Sequence, residues 1–108
     1  GKCPVCIVGE LGPGMLVNRQ YQNLGPRLSI VDNNGNLITR LGGENGPGHK
    51  LGQFLAPHGL SADSLGNIYV GEVSYTNWPS SFGDDPKPKF LKTLQKLERV
   101  INWYYFLI

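Results

Sequence analysis

Short runs of alternating apolar and polar residues, each closed by glycine, proline or asparagine, set the rhythm of this chain. The clearest case spans residues 52–72. Residues 60–63 predict a short strand, Ser64-Leu65-Gly66 a turn, and residues 67–72 a returning strand with Ile68 and Val70 on one face. Gly66 suits a turn position needing φ > 0, and the Asp63 side chain can accept hydrogen bonds from the turn backbone. Pro57 stands before the first strand, where a missing N–H costs no ladder bond. Upstream, residues 3–10 predict a strand ending Val8-Gly9-Glu10, residues 28–31 a second and residues 36–41 a third. Between the last two, Asp32-Asn33-Asn34-Gly35 contains Asn-Gly, the strongest short hairpin signal a sequence offers. Residues 11–26, 42–52 and 74–90 read as long loops. Leu91, Leu94, Leu97 and Ile101 are spaced for a strand or a short helix, and periodicity leaves that open. Residues 101–108 show neither a turn signal nor alternation, so a buried edge strand and a ragged end both fit.

Composition narrows the picture without deciding function. With 15 glycines and 8 prolines, the 108 residues favour many short elements joined by turns, within one small domain. A net charge of +2 is too small to argue for nucleic acid or membrane. Lys87, Lys89, Lys92, Lys96 and Arg99 cluster late, but Asp84, Asp85 and Glu98 dilute them, and a solvated surface is expected there. The apolar tail over residues 103–108 is far short of the ~20 residues a membrane helix needs. The first residue is Gly and the only Met is Met15, so a processed chain or a fragment is expected.

Two internal echoes organise the rest. Asp32-x-x-Gly35-Asn36-Leu37 recurs as Asp63-x-x-Gly66-Asn67-Ile68, and Val8-Gly9-Glu10-Leu11 recurs as Val70-Gly71-Glu72-Val73. Repeats of this period in an all-β chain point to propeller blades or solenoid turns. Pro57-His58-Gly59-Leu60 through Asp63, Gly66-Asn67-Ile68-Tyr69-Val70 and Glu72 resembles the start of an NHL-type repeat, and residues 27–42 resemble its second half. The resemblance covers about two-thirds of the chain and implies a partial six-bladed β-propeller of slightly under two blades. Residues 1–43 would end one blade with its second, third and fourth strands. Residues 52–100 would begin the next, and 101–108 form an atypical tail. Open edges would then be covered by the remaining blades or by identical chains.

Within that resemblance, His58 is the leading chemical residue. Gly52-Gln53-Phe54 followed by Pro57-His58 resembles the peptidyl-α-hydroxyglycine α-amidating lyases, where the matching histidine is a zinc ligand and its co-ligands come from other blades. The resemblance implies zinc or calcium in the parent, a small polar substrate, an extracellular or periplasmic setting, and Glu72 as a rim acid with a catalytic role. Val73 stands where that family carries an arginine. A metal-dependent lyase-like or lactonase-like parent, with this piece inactive by itself, is the first expectation. A non-catalytic scaffold binding proteins through residues 11–26 and 74–89 is the alternative.

Other candidates are weaker. His49, nine positions before His58, reads as a surface histidine. Cys3-Pro4-Val5-Cys6 is formally C-x-x-C, but residues three apart on a strand face opposite ways, so two buried thiols are expected. Gly43-x-x-x-x-Gly48-His49-Lys50 lacks the lysine and hydroxyl positions of a phosphate loop. Asp32-Asn33-Asn34-Gly35-Asn36 is explained by its turn and lacks the other ligands of a calcium loop. Glu10 and Glu72 occupy equivalent positions, either facing a common channel or accepting hydrogen bonds locally. Tyr75, Trp78 and Phe82 could line a pocket or roof a blade.

Overall fold

The computed structural model describes residues 5–21, 24–101 and 104–107. Cys3, and with it the Cys3/Cys6 pairing, lies outside the described residues, as do parts of the tail. The chain is mostly β: among the described residues seven strands form two antiparallel sheets. The first sheet orders β1 (Val5–Glu10), β2 (Arg27–Asp32) and β3 (Leu37–Leu41). The second orders β4 (Pro57–Ala62), β5 (Ile68–Glu72), β6 (Leu94–Ile101) and β7 (Tyr104–Leu107). The open choice over residues 91–100 therefore resolves as a strand. The tail supplies a further strand, whose backbone pairs with β6.

Alternation does what the sequence suggests. Ile68 and Val70 point to one face and are wholly buried, with Leu97 paired opposite Ile68. They meet Val5, Leu28 and Ile30 of the first sheet, with Phe54 between, in one core cluster edged by Ile7, Leu41 and Leu60.

Pairing registers relate the sheets strand by strand. Gly9 faces Leu28 as Gly71 faces Leu94, and Val8 faces Ser29 as Val70 faces Gln95. So β1 corresponds to β5 and β2 to β6. The contact between the sheets does not join corresponding faces. The second sheet presents the face of Leu60, Ile68 and Val70; the first presents the opposite set, Ile7, Gly9, Leu28 and Ile30. A Cβ on Gly9 would stand 3.3 Å from Leu60 Cδ1, so the glycine makes room for that leucine. The packing is head to tail rather than two-fold.

Chain reversals divide by end. The β2–β3 and β4–β5 turns are built alike. Asp32 Oδ1 accepts from the Asn34 and Asn36 N–H groups, and Asp63 Oδ1 from those of Leu65 and Asn67. Gly35 and Gly66 take φ of 84° and 87°, which other residues adopt only with strain. Both turns lie at one end of the sheets. The three long connectors, residues 11–26, 42–56 and 73–93, leave from the other end.

One connector holds an element not foreseen: α1, Ser74–Phe82, lies where the composition suggests a loop. It has no side-chain N-cap and contains Pro79, which removes one intrahelical bond. Packing holds it instead. Trp78 is buried against Leu55 and Leu91, stacks on Phe82 at 4.2 Å between ring centroids, and donates from Nε1 to the Asp85 carbonyl at 2.8 Å.

Candidate functional site: the connector end

The connector end gathers most of the polar chemistry of the described residues. Its centre is the middle connector, which arrives from the first sheet and must turn into β4. Gly42, at φ 80°, lies against the Phe54 ring so closely that a Cβ would stand 2.5 Å from Cδ2. Phe54 is thereby driven into the core, and the backbone around it enters a buried setting where its N–H and C=O groups need partners.

Three side chains supply them. Glu72 Oε1 accepts from the N–H groups of Leu55 at 2.7 Å and Ala56 at 3.1 Å. Lys92 Nζ donates to the carbonyls of Lys50 at 2.9 Å and Gln53 at 3.0 Å. Gln95 accepts from the Gly52 N–H at 2.8 Å and donates to the Gln53 carbonyl at 3.2 Å. Of the basic cluster expected to be a solvated surface, Lys87, Lys89 and Arg99 are exposed, but Lys92 departs from that expectation: its side chain is only 15% exposed and is spent on backbone carbonyls. Neither Lys92 nor Gln95 stood out in the sequence, because nothing local marks a side chain that serves a connector some forty residues away.

Electrostatics follow from this burial. Burial pushes the Glu72 carboxyl above its ordinary range, against the lowering effect of the two amides and of the Lys92 charge. Burial likewise lowers Lys92, and the Glu72 charge opposes it. Glu72 Oε2 accepts no hydrogen bond, and Lys92 Nζ stands 4.0 Å from it. Glu72, expected as a rim acid, is 8% exposed, and its Oε1 is committed to the backbone.

Its counterpart Glu10 sits differently. Glu10 Oε2 accepts from Arg27 Nε at 2.9 Å and from the Ser29 hydroxyl. Burial acts to raise its pKa, but these bonds and the charges of Arg27 and Arg40 outweigh it and hold the carboxyl below its ordinary range. The two glutamates thus each accept local hydrogen bonds, through different partners.

His58 lies in β4 at the irregularity between Pro57, which pairs with Glu72, and Gly59, which pairs with Gly71; its side chain is exposed. Zinc takes three or four protein ligands. Among the described residues no three His, Cys, Asp or Glu side chains stand together to hold a metal ion. His49 is exposed and rests against Trp78, with ring centroids 5.9 Å apart. Cys6 is exposed rather than buried, because β1 turns that face outward. The Tyr75 hydroxyl ties the helix to the end of its connector, accepting from the Leu91 N–H at 2.9 Å.

The two outer connectors also meet. Residues 11–26 form two 3₁₀ turns, Gly12–Gly14 and Leu16–Asn18; the first touches α1, and Arg19 donates to Ser80 Oγ at 3.1 Å. These joined connectors expose Leu16, Val17, Tyr21, Tyr75 and Phe90, with Phe90 at 80%. No helix among the described residues is long and apolar enough to cross a membrane. Comparison of the chain with protein-family models, with curated proteins and with solved structures finds no match.

Proposed function

We propose that the two sheets are consecutive sectors of an NHL-type β-propeller, and that this pair acts as a binding scaffold whose connector end takes a partner protein. The observation that carries the reading is the joined rim of residues 11–26 and 73–93, which among the described residues exposes Met15, Leu16, Val17, Tyr21, Tyr75 and Phe90 to water. Exposed apolar groups gathered on connectors above a stiff β framework mark interaction sites. Head-to-tail sheet packing, with tight turns at one end and long connectors at the other, supports the propeller part.

A photo-crosslinking side chain at Leu16 or Phe90 is expected to capture one and the same partner protein in cells. The same group at Leu65, equally exposed on the opposite end, should capture none. Equal capture at all three positions would remove the reading.

A second reading keeps the metal-dependent, lyase-like or lactonase-like parent, with His58 as one zinc or calcium ligand and the rest of the donors on other sectors. It is favoured by the exposed histidine at a strand irregularity, a feature found beside active sites. In the complete protein, His58→Ala is then expected to lower bound zinc or calcium measured by elemental analysis. Unchanged metal content would end that reading.

A further inference from the structure

Lys92 carries a positive charge into the clamp on the middle connector, and three oxygens surround it. Nζ donates to the Lys50 carbonyl at 2.9 Å and to the Gln53 carbonyl at 3.0 Å, and Glu72 Oε2 stands 4.0 Å away. Oε2 is the oxygen without a donor: the Glu72 side chain is 1% exposed, and this atom accepts no hydrogen bond. A buried carboxylate oxygen left so is costly unless a cation is close. Each oxygen is placed by bonds other than those to the lysine. The Lys50 carbonyl also accepts from the Gln53 N–H at 3.0 Å, and the Gln53 carbonyl from Gln95 Nε2 at 3.2 Å. Glu72 is fixed through Oε1 by the Leu55 and Ala56 amides, and its own N–H donates to the Thr93 carbonyl at 2.8 Å. The Ser74 hydroxyl donates to the Lys92 carbonyl at 2.6 Å, so the lysine backbone is held as well.

We infer that the Lys50 and Gln53 carbonyls and Glu72 Oε2 form a binding site for a small organic cation, which this chain fills with its own tethered ammonium. The ligand class is a primary alkylammonium. Spacings of 2.9 and 3.0 Å are those of N–H···O bonds. They exceed the about 2.3–2.6 Å at which oxygens hold calcium, and magnesium sits closer still. One carboxylate with two neutral carbonyls also matches a single positive charge. The inference concerns how the connector is closed and stands whichever partner the connector end takes.

The test removes the tether and supplies the charge from solution. Lys92→Ala is expected to lower the urea midpoint, and ethylammonium chloride to restore it. Ethylammonium at ten times its dissociation constant should raise the folding equilibrium constant of this variant about tenfold. Tetramethylammonium chloride at equal ionic strength has no N–H to donate and should not, nor should calcium chloride. Wild type, its site filled, should not respond. Lys92→Met keeps the bulk of the stem without the charge, so it should lose stability and stay insensitive to ethylammonium. Adding Glu72→Gln to Lys92→Ala should raise the concentration for half-maximal rescue at least about tenfold. A measurement on wild type decides the matter if Lys92→Ala does not fold: in NMR of isotope-labelled lysine, the Lys92 ammonium protons should persist after those of exposed Lys87 have exchanged away. A Lys92→Ala chain as stable as wild type, equal gains from ethylammonium and tetramethylammonium, or a Lys92 signal lost together with that of Lys87 would overturn the inference.

Discussion

Val8-Gly9-Glu10 and Val70-Gly71-Glu72 are the same three residues at corresponding places in two sheets, yet they live in different surroundings. Val70 is wholly buried and Val8 is nearly half exposed; Gly9 lies under a leucine, whereas a Cβ on Gly71 would meet only the Gly59 carbonyl oxygen, at 3.9 Å. Glu10 rests against Arg27 and Ser29, whereas Glu72 has two backbone amides and a lysine nearby. Identical local sequence makes the same strand in both cases. What differs is the neighbour: β5 has a paired strand β4 and a connector descending onto it, and β1 has neither among the described residues. Local pattern sets the strand, and the repeat's position in the molecule sets each side chain's role.

Breaking the glutamate half of this comparison should have the largest effect. Glu72→Ala leaves the Leu55 and Ala56 amides buried without an acceptor, at about 1–3 kcal/mol for each group. Glu10→Ala leaves Arg27 and Ser29, themselves largely buried, without that acceptor, but the glutamate it removes is 22% exposed and serves no buried backbone amide, so it should cost less in urea denaturation. Equal losses would mean that Glu72 does not carry the connector.

The glycine pair comes next. Gly9→Leu forces Leu60 aside and should destabilise by about 1–3 kcal/mol, as overpacked cores do. Gly71→Leu meets only an ordinary contact with the Gly59 carbonyl oxygen and should leave the urea midpoint nearly unchanged. A reversal of that order would contradict the head-to-tail arrangement.

The pH dependence sharpens the contrast because the two acids move in opposite directions. The folded chain holds the Glu72 proton to higher pH than the unfolded chain. Its contribution to stability is therefore full below the ordinary 4.5 and fades as pH rises through the raised value. Glu10 stabilises above 4.5 and loses that contribution as pH falls through its lowered value. Glu72→Gln is expected to remove the loss on the alkaline side, and Glu10→Gln the loss on the acid side, in denaturation midpoints followed across pH. Superimposable profiles for the two variants would refute the assignment.

The smallest effects belong to the twin turns. Asp63→Ala should lower the melting temperature more than Asp32→Ala, because Asn67, which Asp63 holds, also accepts from the Arg99 N–H at 2.9 Å. Hydrogen exchange at the Arg99 amide should quicken only in the Asp63 variant.

Much of the framework was legible in the sequence because its signals are local. Alternation around Ile68 and Val70, and the Asp-x-x-Gly-Asn turns, need only neighbours to work, and the strands fall within a few residues of their expected places. The helix was hidden for the converse reason. Ser74-Tyr75-Thr76-Asn77-Trp78-Pro79 has poor helix formers, a proline and no side-chain cap, and it stands because Trp78 finds Leu55 and Leu91. The candidate site was half legible. Glu72 and His58 were marked by the repeat, but burial turns Glu72 toward the backbone, and the roles of Lys92 and Gln95 depend on a connector far away in sequence.

The segregation of tight turns from long connectors bears on how such a molecule can change over time. Four-residue reversals tolerate no added length without shifting strand register. At the opposite end each doubling of a loop adds only about 0.6 kcal/mol of closure entropy. Insertions should therefore accumulate on one side alone, so new recognition surfaces can be tried there while the stacked sheets underneath keep their shape.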